Sequence, residues 1–370
     1  MFLQNLSVLN FKNYVEAELT FTNKVICFTG NNGAGKTNLL DAIHYLCLCK
    51  SYFNPADSQQ ILHDEEFFMV QGTFKRLAGV EAIHIGMKRN QRKQVKRNKN
   101  EYATLAEHIG QFPLVISSPS DSMLITEGSE ERRRFLDAAL SQTDEHYLQT
   151  LIVYNKVLLN RNLLLKQMHE RRNFDPIMLE VYDEQLIDTG NEIFDKRKSY
   201  LKDFTEIFNE FYRFLSGNKE KVELIYESQL IDQDFSTQLK AAVDKDRMVQ
   251  RSTVGIHKDD LAFTIGGKPL KRFGSQGQQK SFLLAMKLAQ YHFLKIEKGF
   301  APLLLLDDLF DKLDYNRIKN LLELVLKENF GQLFITDTQA ERVLEIFNSL
   351  KIIPQMFSVS DGVIELLGAD

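Results

Sequence analysis

Gly30-Asn31-Asn32-Gly33-Ala34-Gly35-Lys36-Thr37 reads as a complete G-x-x-x-x-G-K-T phosphate loop. Its flanks agree. Lys24-Val25-Ile26-Cys27-Phe28-Thr29 is a short apolar run that predicts a strand entering the loop. Asn38-Leu39-Leu40-Asp41-Ala42-Ile43-His44-Tyr45-Leu46 has the spacing of a helix leaving it. Glycines let backbone N–H groups curl around a phosphate, and the helix N-terminus adds partial positive charge. The pattern predicts a nucleoside-triphosphate site over Gly30, Asn31, Asn32, Gly33, Ala34, Gly35, Lys36, Thr37 and Asn38. Lys36 suits the β/γ-phosphate oxygens and Thr37 suits Mg²⁺.

Two later stretches decide which kind of NTPase this is. Ala301-Pro302-Leu303-Leu304-Leu305-Leu306-Asp307-Asp308 predicts a buried parallel strand ending in two carboxylates. Asp307 is expected to hold Mg²⁺ opposite Thr37, and Asp308 to orient or deprotonate the attacking water. An acidic turn after a strand would look the same in isolation. Upstream, Phe273-Gly274-Ser275-Gln276-Gly277-Gln278-Gln279-Lys280 opens a helical stretch, where a hydroxyl, free N–H groups and the helix dipole make an anion site. In this order the segment resembles the signature loop of an ABC-type ATPase, with Ser275, Gly277 and Gln278 reaching the γ-phosphate of a second subunit. Catalysis is thus expected to fall to Asp308, Lys36 and Ser275. Leu309-Phe310-Asp311-Lys312-Leu313-Asp314 resembles a D-loop. Gly331-Gln332-Leu333-Phe334-Ile335-Thr336-Asp337-Thr338 predicts another strand, with Thr336 as the switch residue sensing the γ-phosphate.

The chain has 370 residues, enough for two lobes, with 44% hydrophobic and 26% charged residues, as in ordinary globular proteins. No secretory signal and no membrane-length apolar run is visible. Cys27, Cys47 and Cys49 look like small buried hydrophobes, which fits a reducing cytoplasm. The net charge is −4, so nucleic-acid contact has to come from local patches.

The interval between the two ATPase halves is long. Strand-like runs such as Phe67-Phe68-Met69-Val70 and Glu81-Ala82-Ile83-His84-Ile85-Gly86-Met87 extend the first lobe as an antiparallel sheet. From Asp144 to Leu215 the periodicity becomes helical and is broken at Asn173-Phe174-Asp175-Pro176. This predicts a hairpin with arms of roughly 30 to 40 residues, about 45–60 Å long. The reading is an α/β ABC-type ATPase lobe at 1–118 and 250–370, with an inserted helical lobe at 119–249. Basic groups gather at Lys88, Arg89, Arg92 and Lys93, on an expected exposed hairpin turning at Asn98-Lys99-Asn100, and at Arg132-Arg133-Arg134. These are candidates for DNA phosphates; for the triplet, pairing with Glu127, Glu130 or Glu131 is the alternative.

Taken together, these motifs resemble the RecF family. Leu9-Asn10-Phe11-Lys12-Asn13-Tyr14, the phosphate loop with its helix, Glu131-Arg132-Arg133-Arg134-Phe135-Leu136-Asp137, Tyr154 with Leu158 and Arg161 to Lys166, Gly255-Ile256-His257-Lys258-Asp259-Asp260-Leu261, the signature and the Asp-Asp strand all match. Lys12, Lys258 and Lys280 stand where arginine is usual, which keeps the charge but loses the planar fork. Ile256 and Ser129 replace prolines, Ser129 being expected to serve as an N-cap; Lys50-Ser51-Tyr52-Phe53 lacks the usual arginine. The resemblance implies a weak, DNA-stimulated ATPase that dimerises on ATP, binds double-stranded DNA near gaps and junctions, and works with RecR and RecO in loading RecA. Asp121 is the candidate at the Q-loop position. Competing readings are a transporter ATPase subunit, a chromosome-organising ATPase head and a small-molecule kinase; the short hairpin and the Ser-Gln-Gly-Gln-Gln signature argue against them.

Overall fold

The computed structural model describes residues 1–54, 56–308, 318, 321–323, 325 and 330–367. The expected D-loop, Leu309 to Asp314, lies outside them. The chain divides into two units: Met1–Ser122 with Phe214–Gly217 and Gln276–Asp370, and Met123–Arg213 with Asn218–Ser275.

The first unit is built on two six-stranded sheets. One is mostly parallel and runs, edge to edge, Val363–Leu367, Gln355–Ser360, Val25–Thr29, Leu333–Asp337, Leu303–Leu306 and Leu114–Ser117. Every residue of Val25–Thr29, Leu303–Leu306 and Leu333–Asp337 is buried, as parallel strands covered on both faces require. The other sheet is antiparallel, in the order Tyr14–Thr20, Phe2–Phe11, Phe67–Arg76, Gly79–Lys88, Gln94–Arg97, Asn100–Glu101. Its strands alternate buried and exposed positions, as a half-covered sheet does. The helix Lys36–Leu48 touches both sheets, and eleven of its thirteen residues are buried. This explains its low amphipathicity: it has no solvent face to mark. Its start is therefore fixed from two sides.

The second unit contains the helical hairpin up to Arg213, its arms being Glu145–Arg171 and Pro176–Ser216. The arms run antiparallel, as the pairs Asp144–Lys196, Thr150–Glu192 and Arg161–Asp183 show. Pro176 opens its helix, where a missing N–H costs nothing. The unit is not helical throughout: Val222–Glu227, Asp260–Ile265 and Lys268–Pro269 form a three-stranded antiparallel sheet. The expected return to the first lobe at residue 250 differs from this, because the pairing of 260–265 with 222–227 keeps 250–275 in the second unit.

Candidate functional site

Strand order places the phosphate loop. Val25–Thr29 delivers it, Leu333–Asp337 lies beside that strand, and Leu303–Leu306 comes next, so three strand ends open on one point. Thr37 Oγ1 donates to Asp307 at 2.9 Å (Oδ1) and 3.2 Å (Oδ2). Thr336, on the strand between the phosphate-loop strand and the acidic strand, is fully buried. Its hydroxyl donates to Asp307 Oδ1 at 2.8 Å and accepts from the Asp308 backbone N–H at 2.9 Å. Thr336 thus bonds to both acidic residues at the end of the neighbouring strand. Asp308, just past the strand, adopts φ 47°.

The loop itself is braced by the Phe11-Lys12-Asn13-Tyr14 segment. Tyr14 Oη donates to the Gly35 carbonyl at 3.0 Å, Asn13 Nδ2 reaches the Ala34 carbonyl at 3.4 Å, and Asn38 Nδ2 donates to Asn13 Oδ1 at 2.7 Å. Gly35 has φ 113°, and a Cβ there would stand 2.5 Å from Asn13 Nδ2. Gly33, at φ 83°, faces open space instead. Lys36 is nearly buried, and its ammonium donates to the carbonyls of Gly30 and Asn31 at 2.7 and 2.8 Å. The open side at Gly33, the helix start at Lys36 and the Thr37–Asp307 pair fit a triphosphate with a divalent cation: hydroxyl and carboxylate oxygens are the ligands Mg²⁺ prefers.

Lys12 makes an ion pair with fully buried Asp41 at 2.5 Å, and Asp41 also accepts from Ser51 Oγ and the Tyr52 N–H. Lysine in place of arginine is therefore used internally. Asp121 is likewise buried, paired with Lys287 at 2.8 Å and bonded to the Tyr52 hydroxyl and the Ser118 N–H. Nothing local in the sequence marked Lys287, whose partners lie far away along the chain. Ser275 is exposed at the end of the second unit, and Gln276 begins the helix Gln276–Lys298, which includes Gly277 and Gln278.

The basic candidates divide. Lys88 and Arg92 are exposed, and Arg89 Nε donates to the Glu65 carbonyl. Lys93 turns inward: its side chain is 8% exposed, pairs with Asp57 at 2.8 Å and lies over the Tyr45 ring. It is unavailable to a phosphate and leaves the candidate set. Arg132 leaves it too, since it grips Asp260 with two nitrogens at 2.6 and 3.0 Å and caps the carbonyls of Leu124 and Glu127. Arg134 pairs with Glu130 and Glu131. Arg133 alone of the triplet forms no carboxylate pair among the described residues; it donates to the Asp259 carbonyl. Ser129 is the first helical residue, and Gly128 holds the cap position.

Comparison with known proteins agrees with this geometry. The family model described as RecF/RecN/SMC N terminal domain matches residues 2–363. A DNA replication and repair protein RecF from Flavobacterium johnsoniae is 49% identical over 94% of this chain and 97% of its own length. One from Bacteroides fragilis is 47% identical, covering 98% of each. A solved structure of the recombination mediator protein RecF-ATP in the RecFOR pathway superimposes with a TM-score of 0.90 at 33% identity, over 99% of this chain and 97% of that one. An Smc head domain from Pyrococcus furiosus shares the fold, with a TM-score of 0.58 at 17% identity. A nucleotide-loop geometry of the ABC-type head and near-complete relatives at this identity lead to one conclusion: the chain belongs to the RecF family of DNA replication and repair proteins.

Proposed function

We propose that this protein binds ATP with Mg²⁺, dimerises head to tail on it, and closes on double-stranded DNA near gaps and junctions. In this reading it acts with RecR- and RecO-type mediators in helping RecA load, and hydrolyses ATP slowly, faster with DNA. The observation that carries the reading is the 2.9 Å contact between Thr37 and Asp307, which joins the phosphate loop to the acidic strand. Membership of the RecF family supports the DNA and mediator parts.

Bound MgATP supplies the phosphoanhydride bond that is cleaved. Thr37 and Asp307 would hold the cation, and Thr336 keeps the Asp307 carboxylate turned toward Thr37. Lys36 would exchange the carbonyls of Gly30 and Asn31 for phosphate oxygens. Asp308, anchored through its N–H, would take the proton of the attacking water. Its side chain is one methylene shorter than glutamate, which leaves its carboxylate farther from that water and fits slow turnover. Asp308→Glu should therefore hydrolyse ATP faster; unchanged or slower turnover would remove geometry as the limit. Ser275, Gly277 and Gln278 would complete the site of the partner copy.

The decisive experiment mixes Lys36→Arg and Ser275→Arg proteins and follows mass by light scattering and ATP turnover, with and without duplex DNA. Each variant alone should dimerise or hydrolyse poorly, and the mixture should recover in part. No recovery would count against shared sites. A transporter subunit would show no response to DNA, and a small-molecule kinase would not dimerise on ATP.

A further inference from the structure

The second unit gathers four cations from separate stretches of chain. Arg133 lies on the helix Ser129–Thr143, Lys245 near the end of the helix Phe235–Val249, Arg251 just beyond it, and Lys258 in the turn Ile256–Lys258. Lys245, Arg251 and Lys258 are exposed, and Arg133 is half-buried. Their places are fixed from inside. Arg133 donates to the Asp259 carbonyl at 2.6 Å, which puts it next to Lys258. Fully buried Asp246 accepts from Arg161 at 2.7 Å and from both the N–H and hydroxyl of Thr253, tying the helix end to the following loop. Arg197, also buried, donates to the Ile256 carbonyl and to Asp259, and the Tyr154 hydroxyl pairs with the His257 ring. Gly255 has φ 130°, and a Cβ there would meet Tyr154 Oη at 2.7 Å. The loop has no slack.

Such an array is unfavourable by itself, because like charges repel. Burial first, then Arg251, Arg133 and Lys245, hold the Lys258 ammonium below its ordinary value. The surrounding acids are taken elsewhere: Asp246 and Asp183 by Arg161, Asp259 and Asp137 by Arg197, Asp260 by Arg132, Glu130 by Arg134 and Asp244 by Arg247. Among the described residues, none of the four cations forms an ion pair. A frame that takes up the neighbouring acids and leaves Lys245, Arg251 and Lys258 exposed, with half-buried Arg133 beside them, is arranged for a polyanion.

We propose that Arg133, Lys245, Arg251 and Lys258 form a phosphate-backbone contact surface for duplex DNA. This rests on the DNA-binding reading above and adds which residues of the second unit meet the strand. Long cations on a rigid frame suit backbone contact without base reading, so the interaction is sequence-independent and salt-sensitive. Lys258 contributes as a point charge and not as a fork.

The test uses the full chain with MgATP and a fluorescent duplex, titrated across roughly 50 to 200 mM salt. In Lys245→Ala/Arg251→Ala/Lys258→Ala, the slope of log affinity against log salt should flatten by about 2.7, from three contacts at about 0.9 each. Affinity at low salt should fall at least about tenfold, and Lys258→Arg should retain wild-type binding. Thermal melting and ATP binding of the triple variant should match wild type, separating the surface from folding. If wild type binds duplex and the triple variant keeps its affinity and slope, the surface is wrong and the DNA-binding reading stands. If wild type binds no duplex at all, the underlying reading fails. A triple variant that loses binding to phosphatidylserine vesicles while keeping duplex affinity would assign the cluster to lipid headgroups and overturn the proposal.

Discussion

Thr336 Oγ1 lies 2.8 Å from Asp307 Oδ1 and 2.9 Å from the Asp308 backbone nitrogen, so one buried hydroxyl serves both acidic residues at the end of the neighbouring strand. Removing it leaves a partly buried N–H without its acceptor and frees the carboxylate to rotate. Thr336→Val keeps the shape and should cost about 1–3 kcal/mol of stability, together with ATP turnover, whereas Thr336→Ser should retain both. Urea unfolding of the two variants decides the matter: a valine variant as stable as wild type would mean that the clasp does not exist.

Tyr14 holds the Gly35 carbonyl, and through it the turn before Lys36. Tyr14→Phe loses one hydrogen bond while keeping the ring. Nucleotide affinity should drop about fivefold, the equivalent of ~1 kcal/mol. Titration with a fluorescent ATP analogue measures this, and an unchanged affinity would rule out the brace.

Lys93 and Arg92 are neighbours with opposite duties. Lys93→Ala unpairs Asp57, bonded also to the Tyr45 hydroxyl, and should lower stability by about 1–3 kcal/mol. Arg92→Ala should leave the melting curve in place and weaken only duplex binding. Equal melting temperatures for the two variants would contradict the inward position of Lys93.

Two buried histidines and one half-buried histidine make the fold acid-sensitive. Burial depresses His44, His108 and His257 to about 4 from an ordinary 6.5. Each is neutral when folded at a pH where the unfolded chain takes up a proton, so stability is full above about 6.5 and is lost as pH falls toward 4. Each such shift is on the order of 3 kcal/mol. In His108→Phe, which keeps a ring beside Tyr102 and Phe112, the loss between pH 7 and 5 should shrink by roughly a third. Urea midpoints across that range test it; a pH-independent midpoint in wild type would dismiss all three.

The phosphate loop, the acidic strand and the hairpin arms were legible because each is written in a local pattern: glycine spacing, an unbroken apolar run, or a helical period. The turn at Asn98 and Lys99, with φ of 51° and 71°, was legible for the same reason. Lys93 was not, since a run of basic residues does not show which side chain the sheet will turn inward toward Asp57. Arg132 was missed because its partner Asp260 is 128 positions away. The small sheet of the second unit was hidden likewise, as the pairing of Val222–Glu227 with Asp260–Ile265 depends on register across an intervening helix. The cluster of Arg133, Lys245, Arg251 and Lys258 exists only once Gln250, at φ 56°, and Gly255 have turned the chain.

Val25–Thr29 is flanked on one side by Leu333–Asp337 and on the other by Gln355–Ser360. On the ribosome, the strand that carries the phosphate loop emerges early, yet both of its neighbours are translated only after the whole second unit. Until then its backbone has no pairing strands, and the first unit has to wait for residues 333–360 while Met123–Arg213 is already out. A nascent chain of this kind needs shelter from aggregation throughout synthesis. A message truncated before residue 333 would yield a polypeptide with its entire glycine loop and no nucleotide site.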